Sequence, residues 1–313
     1  MLLSLRIAGI CVSLKSFQPW NMEEAFRPFV ETVPEPDYRV IFRRTDTLPR
    51  IPAQVLYEGE CYRIHPGGLR SFFDAPRQTE PYAVAEYDWE NAEVRIACLP
   101  EGAHCVAQMH NSFFHIDIES MMIGKQRIFL HASCVDTPLG GILFSGPSGI
   151  GKSTQAELWC ACRGAKQING DRPILSKDAK GWLAWGAPYA GSSGCHVNEN
   201  CRVRAIVMLE QGPSCRLCRL KPSEAFREVW AGLTVHSWDR NFVERAVDLA
   251  LDLIGTVPVY RFTCTPDVSA VEYLQEHLGK DFAYGTESNS CPPADGISVC
   301  QGEPDENSAE RNL

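Results

Sequence analysis

The segment GPSGIGKST, residues 146–154, constrains the fold more than any other part of this sequence. A short apolar run, ILFS, precedes it, and the run TQAELW follows it. An apolar run, a glycine-rich turn and a helix-like run predict a β-strand, a tight loop and an α-helix in direct succession. At least one strand must therefore lead straight into a helix, which is typical of α/β folds.

The chemistry of this loop points to phosphate. Its residues fit the spacing G-x-x-x-x-G-K-[ST], in which backbone N–H groups and a helix N-terminus face phosphate oxygens. Lys152 adds a charge on the β and γ phosphates, and the Ser153 hydroxyl can ligate Mg²⁺. We therefore predict that nucleotide phosphates bind to Gly146, Pro147, Ser148, Gly149, Ile150, Gly151, Lys152, Ser153 and Thr154. The alternative is a glycine-rich turn without a ligand.

Composition and charge narrow the class of protein. With 313 residues, 44% of them hydrophobic, the chain can form one large domain or two smaller ones. A net charge of −9 argues against broad binding to nucleic acid or to anionic lipid. The opening run MLLSLRIAGICVSL is interrupted by Arg6 and is read as a strand rather than as a signal peptide. We expect a cytoplasmic protein without a membrane span.

Three regions follow from the pattern along the chain. Residues 1–125 contain short apolar runs between turn clusters, which predicts a mostly β, antiparallel region that ends in a helix at about 106–123. In residues 126–284, RIFLHASCV, RAIVMLEQ and PVYRFTCTP are predicted strands, and PSEAFREVWAGLTV, DRNFVERAVDLALDLIGTV and SAVEYLQEHL are predicted helices. Residues 285–313 are polar and acidic, and we expect a disordered tail.

Phosphoryl transfer also requires a carboxylate for the metal ion and a base for the acceptor. Asp171, in INGDRP, follows a predicted strand and is our candidate for either role, although Asn-Gly-Asp is also good turn chemistry. His131 lies on the predicted strand before the loop. A single histidine on a strand is more often structural than catalytic.

Three further elements are weaker candidates. Glu210 ends the apolar strand AIVML and could organise metal and water, or simply cap a strand at the surface. Arg172 could neutralise phosphate charge, or form an ordinary salt bridge. The segment GAPYAGSSG, residues 186–194, could fold over a bound nucleotide or acceptor, or form a plain surface loop.

His131 in LHAS, followed by GPSGIGKST and NGDR, resembles the C-terminal domain of HPr kinase/phosphorylase and its relatives in the phosphoenolpyruvate carboxykinase-like superfamily. The resemblance covers about residues 126–275. It implies an α/β phosphate-loop kinase domain, with a mixed sheet and flanking helices, over residues 126–284. It also implies transfer of the γ-phosphoryl group of ATP, with Mg²⁺, to a serine or threonine hydroxyl of a peptide or protein. Lys152 and Ser153 match the phosphate and metal positions, and Asp171 and His131 match catalytic ones.

The sequence departs from this family at two positions. Gly170 stands where the family has the first of two adjacent aspartates, and Thr154 stands where it usually has an acidic residue. If the missing aspartate takes the acceptor proton, Asp171 must do both jobs, His131 must help, or transfer is weak. A nucleotide-binding regulatory protein with degenerate catalysis and a small-molecule kinase therefore stay open as alternatives. The C-terminal signature with which this family recognises HPr is not found in this sequence. Whether the protein forms a homo-oligomer is left open.

The cysteines do not show a metal-binding pattern. The chain has 14 of them, scattered from Cys11 to Cys300. Only one pair, Cys215 and Cys218, has the C-x-x-C spacing, whereas zinc sites of this type need two such pairs. We therefore expect reduced thiols rather than a metal site.

Overall fold

The structure is a computed structural model that describes residues 1–32, 34–189 and 191–284. Within these residues the chain forms two β-sheets and seven α-helices. The expected tail, residues 285–313, lies outside the described residues. No helix in the described part of the chain is both long and apolar enough to cross a membrane.

The N-terminal sheet has eight strands in the order β1-β2-β3-β8-β7-β6-β5-β4. The strands are β1 (Leu2–Ile7), β2 (Ile10–Lys15), β3 (Tyr38–Arg44), β4 (Tyr57–Glu58), β5 (Tyr62–His65), β6 (Leu69–Phe72), β7 (Ala83–Asp88) and β8 (Glu93–Cys98). Strand β3 is parallel to both of its neighbours, β2 and β8. The prediction of an antiparallel region was wrong here, because the long connection from β2 to β3, with a 3-10 helix at Glu24–Phe29, permits a crossover.

Two predicted elements of this half are divided in the structure. The run MLLSLRIAGICVSL, expected as a strand, forms the β1–β2 hairpin, with its turn at Ala8 and Gly9. The helix expected at 106–123 is three short helices, α1 (Ala103–Ala107), α2 (Met109–Ile116) and α3 (Ile118–Gly124). Extended backbone at Gln108 and a left-handed Asp117, with φ of 56°, separate them. Helices α2 and α3 pack on the N-terminal sheet and bury an apolar core against it.

The second sheet has nine strands. Its main path is β12-β10-β11-β15-β14-β13-β9, and β17 lies beside β15 with β16 beyond it. The strands are β9 (Arg127–Phe129), β10 (Ala132–Thr137), β11 (Gly140–Ser145), β12 (Lys166–Asn169), β13 (Ile174–Asp178), β14 (Gly181–Trp185), β15 (Asn200–Gln211), β16 (Arg216–Arg219) and β17 (Val259–Cys264). Strands β11, β15 and β17 are parallel, and the other pairs are antiparallel, so this sheet is mixed as expected.

Helices cover both faces of this sheet, and all four follow the sequence prediction. They are α4 (Lys152–Arg163), α5 (Pro222–Gly232), α6 (Arg240–Thr256) and α7 (Val268–Tyr284). Alternate residues of β15 enter two cores: Ile206 and Met208 pack with α5 and α6, whereas Val207 packs with α4 and α7. A strand buried on both faces needs a continuous apolar run, which explains AIVML. The chain thus has α/β architecture with two mixed sheets.

Candidate functional site

The glycine-rich loop, residues 146–151, joins β11 to α4, as the sequence predicted. Gly149 and Gly151 have left-handed φ angles of 77° and 113°. A Cβ atom at either position would meet nothing within 4 Å, so backbone conformation rather than crowding requires glycine there. The helix begins at Lys152, and the loop therefore lies at the positive end of a twelve-residue helix.

The side chain of Lys152 lies against the loop from which it starts. Its Nζ donates hydrogen bonds of 3.0 Å to the carbonyl oxygens of Gly146 and Pro147. Burial lowers the pKa of Lys152, and the negative charge of Asp171 opposes this shift. The ammonium group of Lys152 thus has two neutral carbonyl groups as its acceptors, and it is within the electrostatic influence of the Asp171 carboxylate.

Asp171 lies at the same sheet edge as the loop because of strand direction. Strand β10 is antiparallel to both β11 and β12, so β11 and β12 end at one edge. His131 immediately precedes β10 and is at this edge as well. Its Nε2 is 3.5 Å from Asp171 Oδ1, and the two side chains are 41% and 34% exposed, which leaves both open to a substrate.

RIFLHASCV is not a single strand, which corrects one prediction and explains the position of His131. Residues 127–129 form β9, which pairs with β13, whereas β10 pairs with β11 and β12. At the break, the His131 N–H bonds to Gly232 O and the Ala132 N–H bonds to Asp171 O. A backbone hydrogen bond from Ala132, the residue after His131, therefore also holds this segment beside Asp171.

The electrostatic surroundings of His131 keep its imidazole neutral. Burial is the largest cause that lowers the pKa of His131, and the charge of Lys152 lowers it further. Asp171 raises this pKa, and Arg172 lowers it. A neutral imidazole can accept a proton at neutral pH.

Asn169 organises the turn that carries Asp171, and sequence analysis missed this residue. Its side chain is fully buried. Oδ1 accepts hydrogen bonds from the N–H groups of Asp171 and Arg172, at 2.9 and 2.7 Å, and Nδ2 donates to Ala187 O and Tyr189 O, at 3.1 and 3.0 Å. Asparagine two positions before the aspartate in Asn-Gly-Asp was the available signal, because Asx side chains cap such turns.

The segment 186–194 lies against Asp171. Asn169 binds its first part, and a Cβ atom at Gly191 would be 2.8 Å from Asp171 Cβ. This segment is therefore part of the site's wall, and residue 190 within it lies outside the described residues. The segment thus borders Asp171, and its folding over a bound nucleotide or acceptor stays a prediction.

Arg172 is held by other groups. Its Nη2 donates to Glu119 Oε1 at 3.2 Å and to Thr234 Oγ1 at 2.8 Å. The guanidinium lies 5.2 Å from the ring centroids of both Phe129 and Tyr189. The contact with Glu119 connects helix α3 to the site. It is the ordinary salt bridge that the sequence analysis considered as the alternative role of Arg172. A direct role of Arg172 on phosphate stays a prediction.

A cavity of about 290 Å³ lies on the other side of the loop, where β15 and β17 end. Residues Gly149–Gly151, Thr154 and Gln155 border it on one side, and Leu209–Gly212 and Cys264–Pro266 border it on the other. Gln155 is 3% exposed, and its Oε1 has no hydrogen-bond partner among the described residues. A buried acceptor of this kind invites an N–H donor from a ligand.

Glu210 borders this cavity, but its carboxylate has partners already. Oε1 lies 3.1 Å from Arg261 Nε, and Oε2 accepts a hydrogen bond from Thr263. A role of Glu210 as a metal ligand stays a prediction that requires this ion pair to open. Ser153 and Asp171 offer a hydroxyl and a carboxylate oxygen, which are ligands that suit Mg²⁺.

Comparison with known proteins adds little to this geometry. No protein-family model matches the chain, and no curated protein is significantly similar to it. Among solved structures, the chain is similar to the HPr(Ser) kinase/phosphatase from Coxiella burnetii, with 14% sequence identity and a TM-score of 0.30, over 51% of this chain and 99% of that one. At such a low TM-score, function has to be inferred from this chain's own residues.

Proposed function

We propose that this protein binds ATP through residues 146–154 and transfers the γ-phosphoryl group to a serine or threonine hydroxyl of a peptide or protein. One observation carries the proposal: Lys152, His131 and Asp171 meet at one sheet edge, beside a glycine-rich loop at a helix N-terminus. A structural turn has no need of a buried lysine next to a histidine and a carboxylate.

The glycine-rich loop binds the phosphates of the nucleotide, and the adjacent cavity binds its base. Backbone N–H groups of the loop and the start of α4 bind the phosphates, and Lys152 exchanges its two carbonyl partners for phosphate oxygens. The base lies in the 290 Å³ cavity, where Gln155 Oε1 accepts a hydrogen bond from the exocyclic amino group of adenine.

The site suits a magnesium ion. Ser153 and Asp171 would hold it, because a hydroxyl and a carboxylate oxygen are hard ligands. When bound, Mg²⁺ neutralises charge on the phosphate oxygens. Glu210 would join this set only after losing its ion pair with Arg261.

The acceptor proton goes to His131. Its neutral imidazole takes the hydroxyl proton, and the nearby carboxylate of Asp171 stabilises the imidazolium that forms. The acceptor oxygen then bonds to the γ-phosphorus as the bond to the β–γ bridging oxygen breaks, and ADP leaves. In this arrangement Asp171 and His131 share the work of the two aspartates in the HPr kinase family.

Gly170 favours a second candidate function. Because this position lacks the aspartate of the related kinases, the protein could bind a nucleotide as a regulatory signal and transfer phosphate poorly. A small-molecule acceptor is the other alternative to a protein.

The test is incubation of the purified protein with Mg²⁺, γ-labelled ATP and a soluble extract of the source cells, beside Lys152→Ala and Asp171→Asn. We expect a labelled protein or peptide whose labelling is strongly reduced with both variants. Label found only in a small molecule would contradict a protein acceptor. ATP binding without any transfer would contradict the kinase and favour the regulatory function.

A further inference from the structure

A second group of reactive side chains lies in the N-terminal half, far from the loop in sequence. Asp74 follows strand β6, and His104 and Cys105 lie in the first turn of helix α1. Cys105 Sγ lies 3.3 Å from His104 Nε2 and 3.4 Å from Asp74 Oδ1, and the latter two atoms are 3.8 Å apart. Three different ligand types thus converge on one point.

We propose that Asp74, His104 and Cys105 form a site for Zn²⁺. A tetrahedral zinc ion with Zn–S near 2.3 Å and Zn–N and Zn–O near 2.0 Å separates its ligand atoms by roughly 3.3–3.6 Å. The three observed separations lie at or close to this range. The two separations that involve Cys105 Sγ therefore already suit coordination, and the 3.8 Å between His104 Nε2 and Asp74 Oδ1 would shorten slightly on zinc binding.

The orientation of His104 supports the same conclusion. Its Nδ1 lies 2.8 Å from Glu101 O, so Nδ1 carries the hydrogen and donates to this carbonyl. The lone pair is then on Nε2, which faces Cys105 and Asp74. Metal-binding histidines are commonly held in this way, with one nitrogen on the metal and the other donating to a carbonyl.

Activation of Cys105 as a nucleophile fits the geometry less well. In a catalytic triad the carboxylate binds the histidine nitrogen that is remote from the nucleophile. Here Glu101 O occupies that nitrogen, and Asp74 lies on the thiol side of the ring. A carboxylate, an imidazole lone pair and a thiol on the same side are arranged to chelate a cation.

A comparable group of side chains elsewhere in the protein does not suit a cation. Asp117, Glu119 and His236 also converge. Arg70 pairs with Asp117 at 2.7 Å, however, and Arg172 pairs with Glu119 at 3.2 Å, so positive charge is already present. Among the described residues, the only ion-pair partner of Asp74 is His104.

Soft sulfur and nitrogen ligands select Zn²⁺ over Mg²⁺ or Ca²⁺, which prefer oxygen alone. Asp74 and His104 are 57% and 70% exposed, so water can complete the coordination as a fourth ligand. The ion would connect the segment after β6 to the start of α1. Because His104 and Cys105 are adjacent and Asp74 is distant, the site has none of the spacing used to recognise zinc motifs in sequence.

The test uses the full chain, stripped with a chelator and then dialysed against Zn²⁺. We expect wild type to bind one zinc ion more per chain than Cys105→Ser. Asp74→Asn and His104→Asn should each weaken zinc binding by more than the roughly 10–100-fold that loss of a supporting hydrogen bond costs. Cys162→Ser, which changes a cysteine of helix α4 outside the cluster, should leave zinc binding unchanged.

Cobalt provides an independent readout. Co²⁺ added to the wild type should give a thiolate-to-metal charge-transfer band and intense visible bands of tetrahedral geometry, and both should be absent in Cys105→Ser. Equal zinc content in wild type and Cys105→Ser, or identical cobalt spectra, would overturn the site. The readouts are metal content and absorbance, so the outcome is independent of whether the protein proves to be a kinase.

Discussion

His131 Nε2 and Asp171 Oδ1 are 3.5 Å apart, although the histidine precedes strand β10 and the aspartate follows strand β12. The pair is close enough for Asp171 to raise the pKa of His131, against burial and Lys152, which together hold it below the ordinary value. This balance of charges gives the proposed kinase a characteristic pH dependence.

We expect kcat/KM of the wild type to fall only at a pH below about 6.5, the ordinary pKa of histidine, because His131 must be neutral to accept a proton. Asp171→Asn removes the charge that raises this pKa, so the acidic limb should move to still lower pH while the maximal rate decreases. Rate measurements across a range of about pH 4.5 to 8 test this. An acidic limb at the same pH in both proteins would exclude the coupling.

Lys152→Ala should reduce kcat/KM for ATP by about 100-fold or more, because a preorganised charge on the transferring phosphate is lost. The matched control is Lys166→Ala, which removes an exposed lysine of β12 that pairs with Glu199. Calorimetric titration with Mg-ATP and steady-state kinetics on both variants provide the measurement. If the two alanine variants behaved alike, residues 146–154 would be only a structural turn.

Gln155→Met should have opposite effects on stability and on binding. The variant removes a buried acceptor without a partner among the described residues, so the nucleotide-free protein should be more stable by about 1 kcal/mol. Affinity for ATP and for ADP should fall equally, by roughly 10-fold, because the lost contact is with the base. Thermal unfolding and competitive nucleotide binding test the two effects. Unchanged affinity for both nucleotides would place the base elsewhere.

Gly170→Asp separates the two candidate functions. If Asp171 and His131 already manage the acceptor proton, the new carboxylate should bring little gain or should reduce transfer, since position 170 is buried and its carbonyl accepts a hydrogen bond from Ser133. Transfer of labelled phosphate is the measurement. A large increase would instead identify the natural protein as a degenerate kinase that serves in regulation.

His115 should make stability depend on pH. It is fully buried, its Nε2 accepts from the Tyr82 hydroxyl, and burial lowers its pKa to about 4 from an ordinary 6.5. Between these values the unfolded chain binds the proton and the native chain does not, so stability falls on acidification from pH 6.5 to about 4. The loss should approach ~3 kcal/mol.

The variant for this test is His115→Gln, which can still form hydrogen bonds but does not titrate. Urea unfolding at pH 7 and pH 5 should show a smaller difference for the variant than for the wild type. His110→Gln, which changes an exposed histidine paired with Glu23, is the control and should behave as wild type. Equal pH dependence in all three proteins would show that His115 is not the titrating group.

Local chemistry made much of the second half predictable. The strand, loop and helix around residues 146–154 and the helices α5, α6 and α7 all occur where the sequence pattern indicated. Each depends on contacts between near neighbours or on one apolar face, both of which leave a local pattern. The N-terminal half was harder to predict, because the breaks at Gln108 and Asp117 and the parallel placement of β3 leave no comparable pattern.

The sequence by itself determined the glycine-rich loop, its lysine and the helix that follows, because backbone freedom and helix formation are decided over a few adjacent residues. Only the tertiary structure decided which side chains share a site. Strand direction brought His131 to Asp171, a buried Asn169 tied the segment 186–194 to the same turn, and a loop and a helix start brought Asp74 to His104 and Cys105. These contacts depend on strand order and on packing between distant segments, and no local sequence pattern predicts them.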